Sequence, residues 1–297
     1  MSRLLINKLR YFRSSAIKAL LGRGYACPSC GDVHSSTIDR KWLVTSLRRC
    51  VGCKLLYRMP TTSVEENEAF YQSDYEQGFT TDMPSDQELA ILMTSQFEGH
   101  EKNYNGYIAV LRALGVKTGA KVFDFGCSWG YGSYQLAQAG FTVDAFEISR
   151  PRAEHARSKL GVPIRSITDS EHGAYDVFFS AHVIEHVPSV SDMIELGMRY
   201  LKPGGLFIAF TPNGSATFRT CDFGSWHTLW GLVHPQLIDE EYLLHRFSGT
   251  PLIVTSSTYP ISQIAHWDRS TRPLITSLEG VELMFAVQKY AQRWRCS

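Results

Sequence analysis

The stretch "VFDFGCSWGYG", residues 122–132, decides the fold. A short apolar run ends near an acid, Asp124. Glycines follow at 126, 130 and 132, and the last two open a helix-like segment, "GYGSYQLAQAG". A strand that feeds a glycine-rich loop and then a helix lets the backbone turn sharply and come close to a ligand. The alternation continues outward. "FTVDAFEIS" reads as a second strand ending near Glu147, "RPRAEHARSKLG" as a helix ending at Gly161, and "VPIRSI" as a third strand. "YDVFFSAHVI" is a fourth strand. "PSVSDMIELGMRYLKPGG" is a helix closed by Pro203, Gly204 and Gly205, and "LFIAFTPN" is a fifth strand. Strands alternating with helices predict an α/β fold, a parallel sheet covered on both faces, with ligands at the carboxyl ends of its strands.

The glycine loop alone does not name a ligand. Glu147 follows Asp124 by 23 residues, near the spacing of a ribose-binding acid in a dinucleotide fold. The loop is nonetheless not G-x-G-x-x-G, because Ser128 stands where a glycine would. Nor is it a P-loop, since no G-K-[ST] follows.

Four ordered motifs resemble a different family. "DFGCSWG" resembles the D-x-G-x-G-x-G loop of class I S-adenosylmethionine-dependent methyltransferases, with Ser128 as the one departure. "AFEIS" resembles their second motif, "AYDVFFSAHVIEHVPS" their fourth-strand motif, and "LKPGGLFIAFTPN" the turn and strand that follow. "GVELMFAVQKY" looks like the last strand of that Rossmann-like fold, antiparallel to its neighbours. The resemblance covers roughly residues 100–290. It implies S-adenosylmethionine as cofactor, held by Asp124, Gly126, Cys127, Ser128, Gly130, Glu147, Ile148, Ala181 and His182, with the Glu147 carboxylate on the ribose hydroxyls.

"SAHVIEHV", residues 180–187, also contains H-x-x-E-H, the inverted zinc-protease motif. That chemistry needs a long helix. Here a strand is expected up to Ile184 and Pro188 follows, so the protease reading is set aside. Two methyl-transfer readings stay open. In one, His186 is a general base, its ordinary pKa near 6.5 suiting neutral pH, and Glu185 orients the acceptor. In the other, Glu185 and His186, with or without His182, bind a divalent cation that orders a diol. A purely structural pair is the third option. Tyr71, Tyr75, His227 and His234 are further acid–base candidates.

Upstream, Cys27 and Cys30 lie in "CPSCG", and Cys50 and Cys53 in "CVGCK". Two C-x2-C turns, 19 residues apart, aim four thiolates at one tetrahedral ion and leave no open position. A structural zinc in a small ribbon is expected. A ribbon before "FYQSDY" and a methyltransferase resembles the bacterial family that includes sugar C-methyltransferases and polysaccharide-cluster enzymes. The resemblance implies a sugar or glycan-precursor acceptor. An O-methyltransferase for a quinone, phenol or lipid-linked acceptor is the alternative, and an inactive binding or scaffold protein is another.

The predicted organisation is a basic amphipathic helix over 1–24, the ribbon over 25–60, a linker and helical lead-in over 61–99, and the methyltransferase domain over 100–297. The formal net charge of +1 gives no drive toward nucleic acid, and no apolar run is long enough to span a membrane. Residues 1–24 carry six basic side chains and no acid. Such a helix either lies on an anionic membrane surface or docks on the body of the protein. Without an export signal, seven cysteines suggest a reducing cytoplasm. The 24-residue stretch 213–236 holds Phe218, Phe223, Trp226 and Trp230, an expected wall over the acceptor, while Trp267, Arg269 and Arg272 are candidates for meeting an anionic group.

Overall fold

Successive residues of a strand point to opposite faces, and here that alternation divides the apolar side chains between two cores. Phe178 and Phe207 join one cluster with Met193, Ile194 and Met198. Their neighbours Phe179 and Ile208 join another with Ile108 and Leu111. The computed structural model describes residues 12–18, 20–22, 24–41, 44–63, 66, 82–168 and 172–290. Tyr71, Tyr75 and most of the basic stretch before residue 12 lie outside the described residues.

A helical segment over 12–18, part of the helix expected over 1–24, precedes strands β1 (Ser35–Lys41), β2 (Thr45–Cys50) and β3 (Leu56–Met59). Helices α1 (Asp86–Thr94) and α2 (Asn105–Ala113) lead into the alternating unit. It runs β4 (Lys121–Phe125), α3 (Tyr131–Gln138), β5 (Thr142–Phe146), α4 (Arg150–Leu160), β6 (Tyr175–Ala181), α5 (Val190–Tyr200) and β7 (Leu201–Pro212). Beyond it come α6 (Ala216–Cys221), α7 (Phe223–Leu229), β8 (Gln236–Leu237), α8 (Glu240–Arg246), β9 (Leu252–Ser256), α9 (Ile261–Ala265), β10 (Leu274–Ile275) and β11 (Glu282–Gln288).

Seven strands form the central sheet in the order β10-β9-β11-β7-β6-β4-β5. β5, β4, β6 and β7 are parallel, and β11 is antiparallel to both β7 and β9, as its sequence predicts. The fold is therefore a Rossmann-like α/β sheet with the antiparallel last strand that the family resemblance implies. Two expectations fail locally. The strand expected over 162–167 is only a bridge between Ala145 and Ile164, because Pro163 has no N–H to give a ladder. β6 stops at Ala181 rather than Ile184, because His182 takes a left-handed φ of +55° and ends the extended run.

The amino-terminal strands do not form a free-standing ribbon. β3 pairs with β8, so residues 236–237 complete a four-stranded sheet begun by 35–59. The aromatics of 213–236 serve this junction. Phe218, Trp226 and Trp230 are buried with Leu47, Leu56 and Leu237, and Phe223 is half exposed, which corrects the expected acceptor wall. An apolar pattern shows that a side chain is buried but not against which partner. Trp267 likewise packs in the sheet's second core, and Arg269 donates to the Leu114 carbonyl, leaving Arg272 exposed.

Candidate active site

The glycine loop is shaped by close approaches. Gly126 has φ +87°, and a Cβ there would lie 2.4 Å from the Val183 side chain. Gly130, at φ +92°, lets the loop settle against Ala156 of α4. Ser128 occupies the position where the family pattern has glycine and keeps the glycine conformation, φ +53°. Two bonds compensate the strain of a side chain there. Its N–H donates to Glu147 Oε2 at 2.8 Å, and its Oγ accepts from the buried Arg152 guanidinium at 2.8 Å.

Glu147, at the end of β5, also accepts from the Ser149 N–H at 2.8 Å, and burial raises its pKa. Each carboxylate oxygen keeps a second lone pair for ribose hydroxyls. The next side chain, Ile148, is exposed and apolar, suited to the face of an adenine. Asp124 is buried at the end of β4, accepts from Ser133 Oγ at 2.5 Å, and is pushed up to about 7 by burial. Cys127 is buried beneath the loop, its N–H on the Phe146 carbonyl, and Ala181 is half buried at the end of β6. This donor set fits S-adenosylmethionine.

Past β6 the chain turns, and three side chains converge. Glu185 is fully buried. Its Oε2 accepts from Thr211 Oγ1 at 3.1 Å. Its Oε1 has no hydrogen-bond partner among the described residues, and lies 3.5 Å from His182 Nδ1 and 3.8 Å from His186 Nε2. Burial opposes its charge, but His182, His186 and His234 hold it down at about 2. His186 Nδ1 donates to the Val233 carbonyl at 2.7 Å and His234 Nδ1 to the Leu229 carbonyl at 2.6 Å. Each ring is thus oriented through its Nδ1. Glu185, His186 and His234 can each offer one ligand atom within 4.8 Å of the others. Burial, with His234 beside it, pushes His186 down to about 4.

His182 borders this cluster from the other side, half exposed. Desolvation works against its charge, yet Glu185 and Glu282 push it up to about 10. Glu282 lies 3.2 Å from His182 Nε2 and accepts from Tyr107 at 2.9 Å and from Tyr259. Sequence reading missed Tyr107, Tyr259 and Glu282. Only Glu282 carried a signal: the first residue of an antiparallel last strand sits at the carboxyl edge of the parallel ones. His227 is not in this group, because its Nδ1 pairs with Asp39 Oδ2 at 2.6 Å.

Cys27, Cys30, Cys50 and Cys53 form a second cluster, with Sγ–Sγ distances of 3.5 Å for the 27–53 and 30–50 pairs. Four thiolates at this separation suit one tetrahedral ion.

Residues 101–255 match the family model of a methyltransferase domain. The ubiquinone biosynthesis O-methyltransferase of Paramagnetospirillum magneticum is 35% identical over 106 residues, which cover 33% of this chain and 43% of that protein. Its counterpart from Methylococcus capsulatus is 34% identical over 173 residues, covering 55% and 67%. The chain spans less than half the length of the first of these relatives. Geranyl diphosphate C-methyltransferase from Streptomyces coelicolor, solved with Mg2+, geranyl diphosphate and S-adenosyl-L-homocysteine, superposes with a TM-score of 0.51 at 13% identity. That match covers 77% of this chain and 100% of the other, and the likeness is one of fold.

Proposed function

The chain belongs to the methyltransferase-domain family, and from that premise we propose that it methylates a hydroxyl oxygen of a phenol- or quinol-type acceptor. It is an S-adenosylmethionine-dependent enzyme, and that cofactor supplies an activated methyl group on a sulfonium. The observation that carries the proposal is the convergence of Glu185, His186 and His234, a buried carboxylate and two imidazoles whose ligand atoms lie within 4.8 Å of one another. The names of the relatives support oxygen as the methylated atom. None of the relatives named above points to the sugar acceptor that the sequence led us to expect.

The work of this chain's residues is alignment and proton removal. Bound S-adenosylmethionine would supply the methyl group, its sulfur keeping the electron pair of the carbon–sulfur bond, while the acceptor oxygen gives up its proton to this chain. The hydroxyl proton passes to His186 Nε2. Glu185 stabilises the imidazolium formed, and the Val233 carbonyl keeps the ring oriented. A neutral imidazole with a depressed pKa is a weak base in isolation, so the adjacent carboxylate is essential to this reading.

A second reading is favoured by the same atoms: Glu185, His186 and His234 would hold a divalent cation. Histidine ligands commonly give their other N–H to a backbone carbonyl, as both rings do here. Such an ion would order the acceptor oxygen and favour its ionised form. At Cys27, Cys30, Cys50 and Cys53 the thiolate set is read as a structural zinc site.

Turnover of His186→Ala and His234→Ala, with and without chelator, tests the proposal. Both variants should bind S-adenosylhomocysteine normally and transfer slowly. Loss of unmutated activity on chelation, restored by magnesium while the cysteine-bound metal stays in place, selects the cation reading. Full activity in both variants removes the cluster from the chemistry.

A further inference from the structure

We propose that Arg58 is a positioning residue for His234, so that the cysteine module builds the acceptor half of the catalytic centre. This rests on the reading of Glu185, His186 and His234 given above. Arg58 lies in β3, five residues after Cys53, and is 3% exposed. A buried guanidinium must find acceptors for its donors. Arg58 finds them in the loop that carries His234. Nη1 donates to the Gly231 carbonyl at 2.8 Å and to the Leu232 carbonyl at 3.3 Å, while the Arg58 backbone N–H donates to the Pro235 carbonyl at 2.7 Å. Those three carbonyls bracket His234 on both sides. The remaining donors tie the fork to its own strand end: Nε to the Pro60 carbonyl at 3.3 Å and Nη2 to Thr62 Oγ1.

The loop adds two bonds of its own. The Gly231 N–H closes a turn onto the His234 carbonyl at 3.0 Å, and the His234 ring is pinned through the Leu229 carbonyl at 2.6 Å. The cysteine module supplies most of the rest. Asp39 Oδ2 accepts from Trp230 Nε1 at 2.9 Å, and Lys41 lies over the Trp230 ring. His186 sits on the turn after β6, and its ring is oriented by the Val233 carbonyl of the His234 loop. Glu185 and His186 thus follow β6 of the central sheet, and the loop that carries both His234 and the Val233 carbonyl is held by a residue outside that sheet. A planar fork can hold two carbonyls at fixed angles, which neither an ammonium nor a thioether can do. Displacements of about 1 Å are enough to disable a catalytic group.

The test is Arg58→Met in the full chain, read by S-adenosylhomocysteine calorimetry and by 13Cε1–1Hε1 spectra of the histidines. His186→Ala and His234→Ala spectra assign the two peaks that matter. The proposal expects normal S-adenosylhomocysteine affinity, shifted or split peaks for His234 and His186, and unmoved peaks for His100 and His155. Superposable spectra in the folded variant overturn it. So does a general shift of every histidine with loss of S-adenosylhomocysteine affinity, because Arg58 would then serve overall stability. If Arg58→Met does not fold, Arg58→Lys is read by the same outcomes. These spectra report geometry whether or not His234 takes part in transfer, which the turnover of His234→Ala decides separately.

Discussion

The His186 and His234 rings lie with their centroids 4.8 Å apart, each held through its Nδ1 by a backbone carbonyl. Glu185 lies beside them as a buried carboxylate, one oxygen of which has no hydrogen-bond partner among the described residues. A buried anion is costly unless it is compensated. Here the compensation comes from His182 and from whatever positive charge enters the cluster during the reaction.

Glu185→Gln keeps the shape and removes that charge. Transfer should slow by ~10²–10⁴, the usual share of positioned acid–base catalysis. S-adenosylhomocysteine affinity should stay unchanged, since Glu185 lies outside the glycine loop. Single-turnover transfer alongside calorimetry checks both. A variant that binds and transfers normally would take Glu185 out of the chemistry.

Glu147→Ala should weaken S-adenosylmethionine binding by ~1.5–3 kcal/mol, the range for charge-assisted hydrogen bonds. It loses the ribose acceptor and also frees the N–H groups of Ser128 and Ser149. Glu147→Gln retains an acceptor oxygen and should fall between the two. Equal affinity for all three proteins would show that the pocket has been misplaced.

Asp124 gives the cofactor-free protein a pH dependence whose sign follows from burial. Its pKa is about 7 in the fold against an ordinary 3.8. Its stabilising contribution is therefore complete below the unfolded value and is lost as pH rises through the folded one. Stability should decline between about pH 4 and 7, by at most about 4 kcal/mol from this group. Urea midpoints across that range should show the decline, and Asp124→Asn should flatten it. Identical slopes in the two proteins would reject the assignment.

Metal analysis should find about one zinc per chain, because four thiolates complete one tetrahedral site. Cys50→Ser should release it and expose residues 24–63 to limited proteolysis, since metal binding in such a module is folding energy. S-adenosylhomocysteine binding should survive. A zinc-free protein with this region still protease-resistant would end the zinc reading.

Much of this architecture was legible in the sequence, for local reasons. Strand and helix periods, the Asp124-to-Glu147 spacing and the paired C-x2-C turns are short-range signals, and the sheet follows from them. The third strand failed on one residue, Pro163. His182 gave no warning that it would adopt a left-handed turn and end β6. The larger omissions were non-local. Nothing near Trp226 or Trp230 says that their partners are Leu47 and Leu56. Nothing near Arg58 says that it will meet Gly231. Tyr107, Tyr259 and Glu282 come from three separated segments and meet only after the sheet has closed.

The pairing of β3 with β8 has a consequence for how the protein is made. All four cysteines lie at or before residue 53, so the two C-x2-C turns can form early. The outer edge of β3 has no partner until Gln236 and Leu237 emerge, about 180 residues later. Over that interval an unpaired strand edge stands beside apolar Leu47 and Leu56, the kind of surface that pairs with the wrong chain. A ribosome stalled before residue 236 would hold a module with its four cysteines in place and its sheet open. The four-stranded sheet is thus begun before the seven-stranded one and completed only after β4 to β7 have been made.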